Sequence, residues 1–245
     1  IVSQIPSLKN LDLRSNRFEL PADDACFQFP NLETLIVDAC GLSNWNDVLT
    51  IARMCPNLRE CSLKQNDIKH IVSEKLSSEA FKKLEVLIIS ENQIEDFNEI
   101  MKLKDLSTLK EILVNDNKIK EVKLPNCDHK ERLKDMFVSL ESMNLRHNQI
   151  ENEKQMFNEL DKLPALTRLS YINQKASEGN ENEIMESFMM AVGMMSNLVA
   201  FNRSEIEKIH RNDAMYEMWK KFAALWMQTG GEGDQKMDEF YQEHR

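Results

Sequence analysis

The chain has 245 residues and a formal net charge of −10, from 31 Lys and Arg against 41 Asp and Glu. This acidic balance argues against binding to nucleic acid or to anionic lipid, since both need an excess of basic side chains. Hydrophobic residues make up 42% of the chain, which is enough for a core and too many for a disordered protein. We expect no membrane span and no signal peptide. The sequence begins at Ile1, inside the repeating apolar pattern described below, so we expect a fragment of a longer protein.

The cysteines indicate a reducing compartment. There are five, an odd number, and no pair has the Cys-x-x-Cys spacing of a metal or redox site. We therefore predict a cytoplasmic location.

An apolar pattern recurs along the whole chain. Its first copy is Leu8-x-x-Leu11-x-Leu13-x-x-Asn16. Five of the seven intervals between first leucines are 24 to 26 residues long and the other two are 31 and 32. This frame and spacing are typical of leucine-rich repeats. We predict an α/β leucine-rich repeat solenoid, a horseshoe with a parallel concave sheet, of about seven to eight repeats over residues 1–200. The first leucines are Leu8, Leu32, Leu58, Leu84, Leu109, Leu140, Leu166 and Leu198.

The frame has a physical basis. Alternating apolar residues place Leu11 and Leu13 on the core side of a short strand. Asn16 and its equivalents end the strand, and their amides can bond backbone groups that a turning, buried chain leaves unpaired. Cys40 takes that place once, because a small and weakly polar side chain can also be buried there.

The segments that return to the next strand have helical apolar stripes. We predict helices over 45–55, 97–106 and 151–163, with their large apolar side chains in the core. One long interval includes 120–139, where Cys127 and His129 lack further ligands for a metal. The other includes 174–197, predicted to be an acidic loop that leads into a helix near Ile184.

A solenoid needs its open end covered. We predict a C-terminal helical cap over 201–231, with one helix from Ser204 to Met227 that Ser204 caps and that ends at Gly230. Residues 232–245 form an acidic tail with net charge −3.

The motifs of common enzymes are missing. The sequence has no glycine-rich phosphate loop, no H-E-x-x-H and no G-x-S-x-G, and its five histidines are dispersed. We predict no catalytic residue, no cofactor and no metal.

Function is therefore predicted to depend on the concave face. Third, fifth and seventh places of the frame point outward and the eighth lies at the rim. Seven to eight strands span roughly 30–35 Å, which suits a protein partner. Four apolar residues could form the dry centre of an interface, although isolated exposed apolar residues are common and can be without function. The predicted partner-binding residues are Asp12, Arg14, Ile36, Asp38, Glu60, Lys64, Val86, Ile88, Glu111, Leu113, Asn115, Arg146, His147 and Arg168, of which Ile36, Val86, Ile88 and Leu113 are apolar.

The end of the chain resembles one known family. Residues 201–206 read Phe-Asn-Arg-Ser-Glu-Ile, and Tyr216, Phe222 and Trp226 follow on a charged helix. This stretch resembles the end of the leucine-rich domain of the tubulin-folding cofactor E family, and the Gly-Leu-Ser-Asn-Trp-Asn-Asp-Val segment at 41–48 is also similar to it.

The resemblance implies a chaperone module that captures α-tubulin while the tubulin heterodimer is assembled or dissociated. It implies other tubulin-folding cofactors as partners, a monomeric chain and a cytoskeleton-associated location. Family members usually carry an N-terminal CAP-Gly domain and a C-terminal ubiquitin-like domain. Neither is visible here, so either both lie outside this sequence or the chain is the cofactor E-like relative, which lacks the CAP-Gly part.

Other interpretations stay open. A leucine-rich repeat scaffold or regulatory subunit of the phosphatase-regulating or axonemal type would bind a different protein, but its repeats tend to be shorter. A spliceosomal-type adaptor that holds an RNA-binding partner would need a groove for a partner helix. An enzyme is the remaining alternative.

Overall fold

The structure is a computed structural model that describes residues 7–17, 20, 28–72, 80–125 and 134–228, without the side chains of 175, 176 and 221–228. The predicted acidic tail, Cys127 with His129, and the side chains of Phe222 and Trp226 lie outside the described residues. No helix in the described part is both long and apolar enough to cross a bilayer.

One sheet runs through the described residues. Its nine strands lie in chain order, and all neighbours are parallel except the last pair. The leucine-rich repeat solenoid predicted from the sequence is confirmed. The strands are β1 (Asn10–Asp12), β2 (Thr34–Ile36), β3 (Glu60–Ser62), β4 (Val86–Ile88), β5 (Glu111–Leu113), β6 (Ser142–Asn144), β7 (Arg168–Ser170), β8 (Ala200–Phe201) and β9 (Ser204–Glu205).

Six helices lie in the described part. They are α1 (Trp45–Met54), α2 (Phe97–Met101), α3 (Glu153–Leu160), α4 (Gln174–Ser177), α5 (Glu181–Met194) and α6 (Lys208–Gln228). The large apolar side chains of the first three are in the core as predicted, with Trp45, Phe97 and Phe157 at most 2% exposed.

Several predicted helix boundaries are wrong. The second helix ends at Met101 and residues 102–105 form turns, and the third spans only Glu153–Leu160 instead of 151–163.

The helix predicted near Ile184 is present but begins three residues earlier, at Glu181, after Asn180, whose side chain accepts from two backbone N–H groups of the first turn. Carboxylates in that turn also favour the positive end of the helix dipole. The start of the predicted acidic loop contains the short helix α4.

The end of the sheet corrects the predicted cap. Ser204 does not cap a helix but lies in β9, which pairs antiparallel with β8 through the two-residue turn Asn202–Arg203. Both turn residues have positive φ, 50° and 70°, as a type I′ hairpin requires. The helix α6 begins only at Lys208.

The asparagine amides at the strand ends bond backbone groups, as predicted, and these bonds also form a ladder between repeats that was not predicted. The Asn92 Oδ1 accepts from the backbone N–H groups of Asn66 (3.1 Å) and Ile68 (3.0 Å) in the preceding repeat. Its Nδ2 donates to the carbonyls of Leu63 and Ile89, both at 3.0 Å. Asn66, Asn117 and Asn148 repeat this arrangement. Each amide therefore joins its own strand end to that of the repeat before it.

The eighth place of the frame has a conformation that the sequence does not reveal. Its six residues from the first to the sixth repeat all have φ between 55° and 59° although none is glycine. A single left-handed residue of this kind costs roughly 1–2 kcal/mol. The ladder of asparagine amides lies directly after it and holds the turn. The six are Ser15, Ala39, Gln65, Glu91, Asp116 and His147.

Arg211 of α6 fixes the cap onto the solenoid. Its guanidinium donates to the carbonyls of Val192 (2.8 Å) and Met195 (3.2 Å) at the end of α5, and to Leu198 (2.6 Å) just before β8. The last carbonyls of a helix need donors from outside it, and the guanidinium supplies them here. One side chain therefore ties together the last two helices and the last parallel strand.

We expect Asn92→Ala to lower the free energy of unfolding by about 3–5 kcal/mol, because several buried backbone groups lose their partner at once. Asn16→Ala is the matched control, since Asn16 is exposed and its amide donates to the carbonyls of Leu13 and Arg14 in its own repeat. Its loss should stay below about 1 kcal/mol. Urea unfolding followed by circular dichroism measures both. Equal losses in the two variants would show that the ladder does not hold the repeats together.

Arg211→Ala should destabilise the protein by about 2 kcal/mol or more, because three carbonyls lose a charged donor. Arg211→Lys should recover only part of the loss, since an ammonium cannot reproduce the planar fork. Lys208→Ala removes an exposed cation from the same helix and should change stability by less than about 0.5 kcal/mol. Hydrogen exchange of the α5 amides reports the effect locally, and unchanged protection in Arg211→Ala would contradict this role.

Candidate protein-binding surface

The concave rows are in the predicted register. The third-place residues of neighbouring strands pair directly from β1 to β7, and the fifth-place residues do the same. The fourth-place residues between them face the core, as Leu87 and Ile112 show by being fully buried. Neighbouring strands are about 4.8 Å apart, so the seven parallel strands from β1 to β7 extend about 29 Å across the sheet.

Three of the four apolar concave residues are adjacent, and the fourth lies apart from them. Ile88 and Leu113 are directly paired, and Val86 lies two residues before Ile88 on the same face. Ile36 is separated from them by Ser62 of β3. All four are half-buried rather than freely exposed, because the side chains of adjacent strands flank them. The apolar centre of the face is therefore Val86, Ile88 and Leu113.

At the first strand, two of the predicted binding residues bond each other. Arg14 donates to both carboxylate oxygens of Asp12, with the shortest bond 2.6 Å. These hydrogen bonds hold the pKa of the Asp12 carboxyl below its usual range and raise that of Arg14. The pair is exposed, so its charges are largely satisfied by each other and by water.

Further along, Asp38 and Asn115 are held by their own neighbours. The Asp38 carboxylate accepts from the Ser62 hydroxyl (2.6 Å) and from the backbone N–H of Lys64 (2.9 Å). The Asn115 side chain accepts from the Ser90 hydroxyl (2.7 Å) and donates to Asp116. These contacts fix the seventh-place row rather than leaving its polar groups free.

The other predicted cations are Lys64, Arg146 and Arg168. Within the part of the chain that the structure describes, the side chains of Lys64, Arg146 and Arg168 make no ion pair. Arg168 is exposed on β7, and Arg146 is half-buried just after β6, beside the exposed His147. Glu111 accepts from the Ser142 hydroxyl at 3.2 Å, and Glu60 is half-buried on β3. Free positive charge therefore lies mostly toward the C-terminal end of the concave face.

An ion-pair ladder borders the same face and was missed at the sequence level. Lys9 bonds Glu33 at 2.8 Å, and Glu85 bonds both Arg59 and Lys110. All five occupy the second place of the frame, where basic and acidic residues alternate from repeat to repeat. The alternation is visible in the sequence itself, in the residue that follows each first leucine. This edge is neutralised internally and offers little net charge to a partner.

The described thiols are unsuited to nucleophilic chemistry. Cys40, Cys55 and Cys61 are free and buried. Burial raises the pKa of the Cys55 thiol to about 12 and that of Cys61 further. No three of the His, Cys, Asp and Glu side chains in the described ranges come together as a set that could hold a metal ion.

Sequence comparison places the chain beside known proteins. Tubulin-specific chaperone E of Drosophila melanogaster is 39% identical over 249 residues, covering 100% of this chain and 46% of that protein. The Xenopus laevis protein of the same name is 30% identical over 251 residues, again covering 100% and 46%. The resemblance to the tubulin-folding cofactor E family is confirmed. The human tubulin-specific chaperone E is 26% identical over 244 residues, covering 99% and 45%. The chain thus spans about half the length of the tubulin-specific chaperones E that it matches, and no protein-family model matches it.

Two solved structures are similar to part of the chain. The crystal structure of the Drosophila melanogaster SNF/U2A′ complex matches with a TM-score of 0.48 and 19% identity, covering 63% of this chain and 78% of that one. An internalin C2 from Listeria monocytogenes matches with a TM-score of 0.48 and 18% identity, covering 71% and 67%.

The two faces of β4 should respond differently to truncation. Leu87→Ala should cost roughly 2–5 kcal/mol of unfolding free energy, because Leu87 is fully buried. Ile88→Ala should cost only about 1 kcal/mol, because its side chain is already half in water. Thermal and urea unfolding measure both variants, and the reverse order would mean that Ile88 and not Leu87 belongs to the core.

Proposed function

We propose that the concave face of this solenoid binds tubulin, so that the chain is a protein-binding leucine-rich repeat module of a tubulin-folding chaperone acting in the cytoplasm. The observation that carries the proposal is the similarity over 94–100% of the chain to relatives that are all named tubulin-specific chaperone E. The finer proposal is that the bound subunit is α-tubulin, captured while the heterodimer is assembled or dissociated with other tubulin-folding cofactors.

The dimensions of the face suit a macromolecular partner. The seven parallel strands β1 to β7 together measure about 29 Å across, which is the scale of a protein surface rather than of a metabolite. In a monomeric solenoid the concave face would be open to a partner. The strands fix the spacing of the outward side chains, so little order has to be gained on binding.

The chemistry of the face supports a mixed contact. Val86, Ile88 and Leu113 can exclude water at the centre, and polar side chains surround them. Lys64, Arg146 and Arg168 can meet carboxylates of the partner, since no described side chain neutralises them. The chain as a whole carries −10, so this recognition depends on local charge rather than on bulk attraction.

The apolar centre gives the direct test. Ile88→Asp combined with Leu113→Asp should weaken binding of the purified tubulin heterodimer at least tenfold, because two carboxylates would have to be desolvated at the centre of the contact. Val138→Asp combined with Val199→Asp is the matched control, since both are exposed apolar residues outside the concave rows and it adds the same charge. Binding is measured by biolayer interferometry, and circular dichroism establishes that each variant is folded.

Two outcomes would contradict the proposal. One is that the folded wild-type chain does not bind tubulin, and the other is that both double variants bind it equally well. Cross-linking followed by mass spectrometry tests the finer proposal. Cross-links from the concave rows to the α subunit are expected, and cross-links to the β subunit alone would overturn the assignment to α-tubulin.

A further inference from the structure

The last two helices leave an apolar groove between them. A Cβ on Gly193 of α5 would overlap the Met218 Sδ of α6, so the Met218 side chain lies directly against the glycine where the two helices meet. Beside the crossing lies a groove of about 450 Å³. Five of the chain's 14 methionines line it, namely Met185, Met189, Met190, Met194 and Met218.

A second groove lies on the other side of the same ridge. It has a volume of about 500 Å³ and shares Met185 and Met189 with the first, while Phe188 and Phe201 form part of its wall. The Phe188 ring also contacts Phe201 and His210 edge to face, with centroids 6.2 and 5.9 Å apart. Met185 and Met189 therefore form a ridge between the two apolar grooves.

Apolar exposure in this protein is concentrated on these helices. Seven large apolar side chains are exposed in the described part of the chain, and five of them lie on α5 or α6. Met185, on the ridge, is 59% exposed. The outer face of a capping element is normally polar, because its purpose is to end the stack in water. The five are Ile184, Met185, Ile209, Tyr216 and Trp219.

The charge around the grooves has one dominant sign. The lining side chains include four carboxylates against one lysine, Lys154, and one histidine, His210. Two further carboxylates, Glu181 and Glu183, lie in the first turn of α5. The carboxylates of the lining are Glu186, Glu205, Asp213 and Glu217, and Glu217 is already bonded to Lys220 at 2.7 Å. An occupant of these grooves should accordingly be basic at its edges.

We propose that the Met185–Met189 ridge and its two grooves dock a basic amphipathic helix of a second protein. An amphipathic helix places its apolar face in a groove and keeps its charged flanks at the rim. Methionine side chains are flexible and polarisable, so they adapt to the shape of such a helix. The 14 residues of α5 span about 21 Å, which sets the length of the docked helix at three to four turns.

This surface is separate from the concave face. None of the residues that line the two grooves belongs to the third, fifth or seventh places of strands β1 to β7. The proposal therefore does not depend on tubulin binding, and the two can fail independently.

The test uses a synthetic probe and the full chain. The probe is a labelled 15-residue helical peptide with Leu on one face and Lys on the other, and its charge-reversed twin carries Glu in place of Lys. We expect the Lys peptide to bind with 1:1 stoichiometry in fluorescence anisotropy and the Glu peptide to bind at least tenfold more weakly. Equal binding of the two peptides would overturn the proposal.

A paired substitution separates docking from unspecific attraction to an acidic protein. Met185→Glu combined with Met189→Glu should raise the Kd for the Lys peptide at least tenfold, although it makes the protein more acidic. Ile88→Glu combined with Leu113→Glu adds the same charge on the concave face and should leave the Kd within about twofold. If both double variants bind the Lys peptide as tightly as the wild type or more tightly, the attraction is general and the proposal is wrong.

Folding and self-association have their own controls. Met185→Ala combined with Met189→Ala introduces no charge, and its melting temperature should stay close to that of the wild type while its Kd rises at least fivefold. Sedimentation equilibrium should show wild-type monomers in the absence of peptide. A dimer that the Met185→Glu and Met189→Glu pair dissociates would show that the grooves are occupied by a second copy instead.

Discussion

The hydrogen bonds of the asparagine amides are the constraint on which the solenoid depends. After each strand the chain must turn inside a packed stack, where water cannot satisfy its backbone groups. Asn66, Asn92, Asn117 and Asn148 supply a donor and an acceptor at one point, and they connect each turn to the preceding repeat. Because this connection fixes one strand end against the next, the concave side chains lie in straight rows.

The sequence specifies the repeat far better than it specifies the ends. The fourth and sixth places of the frame must be buried, and a shift by one residue would expose them, so only one strand register is possible. Asn10, Thr34 and Glu60 therefore pair as their positions in the frame predict. The cap has no such periodicity. Its shape follows from a hairpin turn at Asn202–Arg203 and from the Arg211 guanidinium, and both are tertiary contacts without a local signal. Ser204 therefore looks like a helix cap in the sequence and is a strand in the structure.

The sequence predicts which residues face outward on the concave side, but not which of their charges are already bonded to neighbours. The outward residues follow from the repeat frame, since they depend only on the two-residue period of a strand. Whether an outward charge is available depends on neighbours one repeat away. Arg14 is engaged by Asp12, and Asp38 by Ser62, whereas Arg146 and Arg168 lack such a partner among the described residues. The repeats after the fifth thus carry most of the positive charge that a tubulin surface could meet.

The two proposed surfaces differ in how they can recognise a partner. The concave side chains project from short strands whose spacing the amide ladder holds, so they favour one partner shape and disfavour others. The ridge of α5 presents unbranched methionines, and such side chains can repack around different helices. A module built this way can hold one partner in a fixed geometry while its end contacts a more variable one. Arg211 then has a second consequence, because it couples α6 to the last parallel strand and so keeps the adaptable surface rigidly oriented to the fixed one.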